Sequence, residues 1–356
     1  MAPFSIPRLR LRALSAAVPA HRESNSDLDL LGTSRDSFIR TVGITTRRVA
    51  PLGLCASDLC IAAAEHLVNE LDLDPEEIEA LVFVTQTPDY PLPGNSMLAQ
   101  QRLGLSTSAC LLDLNQGCAG YVYGLASLAS LLSATGMRKG LLLVGDTITR
   151  ILSSTDKSTL PIFSDAGSAT LVEQSPEADA MWFSLGSDGA GAHVIQVRGG
   201  GARRPFDTDS LVVGQDGREI FRAPIHLSMD GLDVLHYSLT YVAPSILELL
   251  AFAGANLHTP DYYVFHQANR ILNESLVRKL GIPAEKAPES LFDYGNTSCA
   301  TIPVTICHRL RAQVAQGPTT LLLSGFGAGF SWGSALVTGR DVLCLPMIEL
   351  DGSHGH

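Results

Sequence analysis

An internal repeat constrains the fold of this chain more than any other feature of its sequence. Residues 80–85 predict a buried strand, which is followed by a polar loop and by a helix that ends near residue 105. The same order begins again at residues 262–266 and ends near residue 282. Because strands alternate with helices in both copies, we expect mainly parallel sheets covered by helices. The sequence therefore predicts two similar α/β halves.

The repeat continues through two short motifs and the segments that follow them. Asn115-Gln-Gly-Cys118 lies downstream of the first strand, and Asn296-Thr-Ser-Cys299 lies downstream of the second. An apolar helix follows each motif, and then a continuous apolar run that is typical of a central strand covered on both faces. Two related halves predict a layered α/β sandwich with a pseudo-twofold axis and a functional site where the halves meet.

The repeat also suggests how the chain is divided. Residues 1–175 are expected to form the first half, and residues 223–345 the second. Residues 176–222 are expected to connect them, with a stretch at 186–217 that is rich in Gly, Arg and Asp and is either a lid or a plain linker. Residues 346–356 are expected to form a disordered tail.

Composition excludes several classes of function. The 356 residues include 25 Lys and Arg against 36 Asp and Glu, a formal net charge of −11, which argues against a nucleic-acid partner. Residues 114–137 contain no charged side chain and are long enough to span a bilayer. Interspersed glycine, serine and amide residues instead favour a helix buried inside a large protein, so no membrane association is expected. The N-terminus shows no export signal.

Seven cysteines are present, with no CxxC pair and no histidine-rich metal spacing. They are expected to be reduced thiols in the cytoplasm, with no metal site. Cys118 differs from the others because it lies between a predicted strand and a predicted helix, in a turn of small residues. A helix N-terminus lowers the pKa of a thiol, which would suit a nucleophile. A structural cysteine is the alternative for this position.

Two further side chains lie at the ends of predicted strands. His266 follows a strand of the second half, where it is either a site residue or a core histidine bonded to a carbonyl. Asn296 lies in a turn that corresponds to the Cys118 segment, so a twofold axis would bring the two loops together. The glycine-rich loop 325–330 lacks the context of a dinucleotide fingerprint, but its backbone N–H groups could bind an oxyanion.

Six segments carry a resemblance to a known family. They are residues 113–124, 163–167, 226–231, 265–269, 294–298 and 326–333. In order and spacing they resemble the signature segments of β-ketoacyl-ACP synthase III, a family of the thiolase superfamily. The similarity covers the chain from about residue 11 to residue 338. It implies a thiolase-like αβαβα sandwich that assembles as a homodimer.

The resemblance also implies a Cys-His-Asn site. Cys118 would take an acyl group from a thioester, and the backbone N–H groups of Cys118 and Ala328 would form the oxyanion hole. His266 and Asn296 would donate hydrogen bonds to the carbonyl of a malonyl thioester as it loses CO₂. Attack of the resulting carbanion on the acyl group is a decarboxylative Claisen condensation that gives a 3-oxoacyl thioester. Neither step calls for a cofactor.

Substrate recognition is implied in part. The resemblance places substrate-binding residues at Leu92, Lys157, Phe163, Leu227, Met229 and Gly231. Leu92 would close the acyl tunnel of the partner subunit. The tryptophan and arginine with which the family holds the adenine of coenzyme A correspond here to Ser37 and Thr41, with Phe38 and Arg40 as alternatives after a shift of one residue. Acyl-CoA and acyl carrier protein are therefore both open as donors, and docking of the carrier is expected at Arg270, Arg278 and Lys279.

The same scaffold could support other activities. An acyltransferase that forms an ester or an amide remains the alternative, although retention of both His266 and Asn296 favours condensation. A condensation of the HMG-CoA synthase type would want a glutamate where the chain has Gln86. A non-catalytic partner subunit would usually lack the nucleophile, which is present as Cys118. The pathway stays open among fatty-acid initiation, polyketide priming and the supply of acyl units for a polysaccharide or a secondary metabolite.

Overall fold

The computed structural model describes residues 2–215 and 220–352. Its strands are β1 (Phe4–Ile6), β2 (Leu9–Pro19), β3 (Arg22–Ser24), β4 (Thr46–Arg48), β5 (Ala80–Val84), β6 (Cys110–Leu114), β7 (Lys139–Asp146), β8 (Ala166–Gln174), β9 (Met181–Ser187), β10 (Ile195–Val197), β11 (Gly214–Gln215), β12 (Phe221–Arg222), β13 (Leu227–Met229), β14 (Tyr262–Phe265), β15 (Thr319–Gly327), β16 (Ser331–Gly339), β17 (Leu343–Cys344) and β18 (Ile348–Leu350). Its α-helices are α1 (Arg35–Val42), α2 (Ala56–Leu71), α3 (Asn95–Leu103), α4 (Gly120–Thr135), α5 (Gly231–Phe252), α6 (Arg270–Leu280), α7 (Leu291–Tyr294), α8 (Thr301–Thr305) and α9 (Arg311–Ala315). A π-helical turn, Ile306–Leu310, joins α8 to α9.

Two sheets contain the repeat. The seven-stranded sheet has the order β17-β2-β8-β7-β5-β6, with β18 also paired to β2, and the five-stranded sheet has the order β1-β9-β16-β15-β14. In the first sheet β5 is parallel to β7, whereas β8 is antiparallel to both β7 and β2. In the second sheet β14, β15, β16 and β9 repeat that pattern. The two similar α/β halves predicted from the sequence are therefore present.

The helices complete five layers. Helices α4, α8 and α9 lie between the sheets, in one apolar cluster with strand residues of both, such as Val82 and Leu323. Helices α2 and α3 cover the outer face of the seven-stranded sheet, and α5 and α6 cover the outer face of the five-stranded sheet. The order is helix, sheet, helix, sheet, helix, which confirms the predicted αβαβα sandwich.

Helix α4, with 16 residues, forms most of the uncharged stretch 114–137 that was considered as a possible membrane span. It lies in the central layer, where a Cβ on Gly124 would come within 2.7 Å of side-chain atoms of Val84 and Leu142. The absence of side chains at Gly120 and Gly124 lets this helix lie directly on the strands. The prediction of a buried core helix is confirmed.

Helix α5 is the helix, among the described residues, whose length and apolar composition would suffice to cross a membrane. Its buried residues include Val242, Ile246 and Leu249, which pack against the five-stranded sheet. Its opposite side includes exposed apolar residues such as Leu247. A helix with this packing belongs to the outer layer of the sandwich.

The expected boundaries of the halves need two corrections. The connecting segment 176–222 contains β9, which is a strand of the five-stranded sheet and corresponds to β2 of the first half. The expected tail 346–356 contains β18, which pairs with β2 in parallel. Both boundaries were misplaced for the same reason. The pairing of a short strand with a strand far along the chain is not predictable from its local sequence. Residues 216–219 and 353–356 lie outside the described residues.

Candidate active site

Cys118 lies between the end of β6 and the start of α4, at the junction of the two halves. It is 8% exposed. A Cβ on Gly327, at the end of β15, would lie 2.9 Å from the sulfur of Cys118, so the absence of a side chain there leaves room for the thiol. The strand-to-helix turn predicted from the sequence is thus confirmed, and a strand from the other half completes its surroundings.

The surroundings of Cys118 favour the protonated thiol. Burial raises its pKa to about 12, and the charge of Asp146 acts in the same direction. The backbone N–H groups of Cys118 and Ala328 and the hydroxyl of Ser298 lower the pKa, but by less. The expectation of a thiolate favoured by the helix N-terminus is therefore wrong for this site, because desolvation of the charged form outweighs the nearby donors.

His266 follows β14 and is buried. Its Nδ1 lies 2.7 Å from Oγ1 of Thr301, at the start of α8. Burial lowers the pKa of the imidazole to about 3, and a weaker contact with the backbone of Ser298 opposes that shift. The ring is therefore neutral near pH 7. Because Thr301 occupies Nδ1, Nε2 is the nitrogen that remains for a substrate.

Asn296 is held by both its backbone and its side chain. Its backbone N–H donates to the carbonyl of Ile162 at 3.0 Å, and its carbonyl accepts from the N–H of Ser164 at 2.9 Å. Its Oδ1 accepts from the N–H of Ser298 at 2.9 Å, and its Nδ2 donates to the carbonyl of Ala268 at 3.4 Å. The amide therefore presents Nδ2, a donor, in a fixed orientation.

The three side chains meet around one cavity of about 50 Å³. The other lining residues are mostly apolar: Ile162, Phe163, Ile195, Met229, Gly231, Val234, Ala268, Asn269, Phe326 and Gly327. Cys118 comes from the first half, whereas His266 and Asn296 come from the second. The approach of the two loops across the pseudo-twofold axis, which the repeat predicted, is what the structure shows.

Some predicted substrate-binding residues lie at this cavity and others do not. Phe163, Met229 and Gly231 line it, and Leu227 is buried in the apolar cluster that includes Phe163. Lys157 is exposed and Leu92 is 86% exposed, and neither lines the cavity. A single chain therefore contains part of the expected tunnel, since Leu92 was expected to act in a partner subunit.

The three cationic residues expected to dock a carrier protein are distributed along α6. Arg270 begins the helix and donates to the carbonyl of Arg40. Arg278 and Lys279 end the helix and are exposed, and Arg278 lies 3.5 Å from Glu274. Nine residues at 100° each place Arg270 and Lys279 on opposite sides of the helix. The structure does not gather the three into one patch.

Sequence reasoning did not identify several residues of the site. Ser298 contacts Cys118, and Thr301 contacts His266. Both follow Asn296 closely along the chain, which is the one sequence feature that could have indicated them. Ile195 reaches the cavity because β10 pairs with β13, opposite Met229. No local pattern in the connecting segment predicts that pairing. In the described part of the chain, no group of three His, Cys, Asp or Glu side chains is arranged to hold a metal ion.

Two related α/β halves with Cys, His and Asn at their junction define the thiolase-like condensing enzymes. Sequence profiles described as 3-Oxoacyl-[acyl-carrier-protein (ACP)] synthase III and as its C-terminal part match residues 112–189 and 250–338. A β-ketoacyl-[acyl-carrier-protein] synthase III of Rhodopirellula baltica is 33% identical, over 92% of this chain and 97% of that protein. The chain belongs to the β-ketoacyl-ACP synthase III family.

Solved structures agree with this assignment. A 3-oxoacyl-(acyl-carrier protein) synthase of Burkholderia xenovorans is 34% identical with a TM-score of 0.92, over 98% of this chain and 99% of that one. The priming β-ketosynthase of the R1128 polyketide pathway is 26% identical with a TM-score of 0.81, over 94% of this chain and 98% of that one. The chain is therefore an acyltransferase of the condensing type, and the ester- or amide-forming alternative is not favoured.

Proposed function

We propose that this enzyme condenses an acyl group held on Cys118 with a malonyl thioester of coenzyme A or acyl carrier protein. The main support for this proposal is that Cys118, His266 and Asn296 line the same cavity. Lining that is otherwise mostly apolar suits an acyl chain, and the few polar groups are those that the reaction uses.

In the first half-reaction the sulfur of Cys118 attacks the carbonyl carbon of the acyl donor. The C–S bond of the donor breaks, and the proton of Cys118 ends on the departing thiol. The backbone N–H groups of Cys118 and Ala328, which contact the sulfur, are placed to stabilise the oxyanion of the tetrahedral intermediate. Reactants and products carry the same charge, which suits a site whose burial disfavours a free thiolate.

In the second half-reaction the malonyl thioester loses its carboxylate as CO₂. The electron pair of the broken C–C bond moves into an enolate, whose charge develops on the thioester oxygen. We assign the stabilisation of that oxygen to the N–H donors Nδ2 of Asn296 and Nε2 of His266. The neutral ring then carries its proton on Nε2, and Nδ1 accepts a hydrogen bond from the hydroxyl of Thr301. The enolate carbon then bonds to the acyl carbon, Cys118 leaves as a thiolate and takes up a proton, and a 3-oxoacyl thioester departs. No electrons are transferred, so no redox cofactor is needed.

The acyl and malonyl groups are proposed to arrive on either coenzyme A or acyl carrier protein. Ser37 and Thr41, on α1, replace the aromatic and cationic side chains expected for adenine, which leaves room for a carrier protein as donor. Because Arg270, Arg278 and Lys279 do not form one patch, they are proposed to contact that carrier at the two ends of α6. If they dock it, Arg278→Glu should lower kcat/KM for malonyl-ACP and leave kcat/KM for malonyl-CoA unchanged.

We further propose a cytoplasmic homodimer. All seven cysteines are free, as expected for a reducing compartment. Strand β6 forms one edge of the seven-stranded sheet, where Leu112 is exposed, and Tyr90, Leu92 and Met97 are exposed apolar residues of the same half. A second copy that pairs along β6 would cover an open edge and this apolar surface. It would also let Leu92 reach the tunnel of its partner.

Intact-mass spectrometry tests the nucleophile. Incubation with acetyl-CoA or acetyl-ACP should increase the mass of the enzyme by one acetyl group, and Cys118→Ala should remain unmodified. Cys110→Ala, which removes a thiol at the start of β6, serves as the matched control and should be acetylated normally. Acetylation that survives Cys118→Ala would refute the assigned nucleophile.

Release of labelled CO₂ from malonyl-ACP tests the second half-reaction. The acylated enzyme should release CO₂ and form a 3-oxoacyl product. His266→Ala and Asn296→Ala should each slow the release about 10²- to 10³-fold, as removal of one oxyanion donor does elsewhere. An acyl enzyme that transfers its acyl group to an alcohol or amine without releasing CO₂ would instead support the alternative reaction.

A further inference from the structure

The connecting segment forms a second cavity of about 250 Å³ that the proposed chemistry does not use. Its charged and titratable lining is cationic or neutral: Arg198, Arg204, Arg222 and His226. The remaining lining residues are Val212, Gly214, Gln215, Ala223, Pro224 and Ser228. No carboxylate is among these described lining residues. Three arginines in one cavity are notable in a chain whose net charge is −11.

The arginines differ in their partners. Arg222 pairs with the buried Asp156, with 3.1 Å between Nη1 and Oδ2. Within residues 2–215 and 220–352, no salt bridge involves Arg198 or Arg204. The charge of Arg204 contributes to lowering the pKa of Asp207. Like charges that share a cavity repel one another, so an anion bound between Arg198 and Arg204 would be stabilised by both.

The cavity adjoins the wall of the Cys118 site. Strands β10 and β13 pair so that Ile195 lies opposite Met229, and both residues line the Cys118 cavity. Ser228 precedes Met229 and lines the cationic cavity. Because successive side chains of a strand point to opposite faces, one two-stranded ladder separates the two cavities. Three residues, or about 10 Å of extended chain, separate Ile195 from Arg198.

Three facts connect the cationic cavity to the thioester donor. Arg222 forms a salt bridge with Asp156, the residue before Lys157, which is one of the expected substrate-binding residues. The hydroxyl groups of Ser153 and Thr155 donate to the carbonyl of Phe221, which fixes the cavity wall to the same loop. Donors of both kinds carry phosphate on the arm that ends in the reactive thioester. Arginine binds phosphate oxygens with a geometry that suits two parallel hydrogen bonds.

We propose that Arg198 and Arg204, with Arg222 beside them, bind a phosphate group of the thioester donor while its thioester lies at Cys118. This proposal rests on the function proposed above and adds the means by which the donor is held. The phosphates of coenzyme A and the phosphodiester of a carrier protein share the chemistry. In this proposal, binding of a phosphate by the arginines compensates for the contacts to adenine that Ser37 and Thr41 do not make.

Calorimetric titration with coenzyme A, 3′-dephospho-coenzyme A and phosphopantetheine tests this site without any reaction. Arg198→Gln and Arg204→Gln should each weaken coenzyme A binding about tenfold, the loss expected for one charge-assisted contact. Arg203→Gln removes the same charge from an exposed neighbour outside the lining and should bind as the wild type does. A loss seen with coenzyme A but not with the dephospho form assigns the 3′-phosphate. A loss that persists with phosphopantetheine assigns the phosphate of the arm, which a carrier protein also supplies.

Two results separate the failure of this site from the failure of the proposed function. If Arg198→Gln and Arg204→Gln bind all three probes as the wild type does, the phosphate site is refuted, whether or not Cys118 is acylated. If coenzyme A binding depends on Arg204 but no donor acylates Cys118, the phosphate site stands and the proposed chemistry fails. Circular dichroism of both variants should match the wild type, since Arg198 and Arg204 are exposed.

Discussion

At the scale of single residues, burial determines which protonation states the side chains of the site favour. Cys118 lies at a helix N-terminus, yet burial raises the pKa of its thiol to about 12, and burial lowers the pKa of His266 to about 3. Both shifts favour the uncharged form of the side chain. The resting site therefore consists of a thiol, a neutral imidazole and an amide, and negative charge develops only as the reaction proceeds.

The reactivity of Cys118 should report this pKa. Because a raised pKa keeps the thiol protonated near pH 7, alkylation by iodoacetamide should accelerate about tenfold per pH unit from pH 7 upward. The rate at Cys118 is measured by peptide mass spectrometry, with Cys118→Ala to assign the peptide. A rate that is already constant between pH 6 and pH 8 would show a preformed thiolate and contradict the assignment.

We expect Thr301 to position His266. Thr301→Val removes the hydroxyl that lies 2.7 Å from Nδ1 while it keeps the shape of the side chain. We expect CO₂ release to slow by about tenfold or more, since one buried hydrogen bond contributes about 1–3 kcal/mol when its partner is left unsatisfied. Thr301→Ser retains the hydroxyl and should restore the rate. Equal losses in both variants would show that the methyl group, rather than the hydrogen bond, is what matters.

At the scale of elements, ends of strands and helices from both halves form the site. Cys118 precedes α4, Gly327 ends β15, and the pairing of β10 with β13 supplies the remaining wall. Gly325 and Gly327 approach the Cys118 turn so closely that a Cβ on either would lie 2.7 Å from an atom of Cys118. The space around Cys118, the proposed nucleophile, therefore depends on the absence of side chains in a strand that is remote in sequence.

Gly327→Ala tests this dependence. The added methyl group would overlap the Cβ and Sγ of Cys118, and overpacking of this kind costs about 1–3 kcal/mol. Acylation of Cys118, measured by intact mass against time, should slow at least tenfold. Gly189→Ala places a methyl group where no atom lies within 4 Å and serves as the matched control. Normal acylation of Gly327→Ala would mean that β15 moves freely away from Cys118.

At the scale of the whole molecule, the two halves act as one unit. Asp146 is fully buried in the first half, where its Oδ1 accepts from Oγ1 of Thr85 at 2.9 Å and from the N–H of Gln86 at 2.7 Å. Its Oδ2 lies 3.2 Å from the thiol of Cys299, which belongs to the second half. The proposed catalytic residues are likewise divided between the halves, so neither half contains the complete proposed site.

The proposed dimer gives a prediction at the same scale. Sedimentation should show a particle of twice the mass of one chain. Leu112→Lys places a charge on the exposed side of edge strand β6 and should shift the equilibrium to the monomer. Activity should fall with it if Leu92 completes the tunnel of the partner. Leu52→Lys, at a residue that is 94% exposed, is the control and should remain a dimer. A wild-type monomer with full activity would refute the proposed assembly.

The sequence by itself determined the repeat and the residues that meet at its axis. The internal repeat and its continuous apolar runs identified β5, β7, β14 and β15, because central strands and the helices that follow them have strong local sequence patterns. Cys118, His266 and Asn296 were identified because each follows such an element. The family resemblance then added the reaction.

Only the tertiary structure decided what depends on distant neighbours. It placed β9 and β18 in the two sheets, since short strands gain their pairing from partners far along the chain. It brought Ile195 to the cavity, Thr301 to His266, and three arginines of the connecting segment into one pocket. It also reversed the expected ionisation of Cys118. The local turn predicts a lowered pKa, but desolvation is a property of the whole packed interior, and here it is the larger effect.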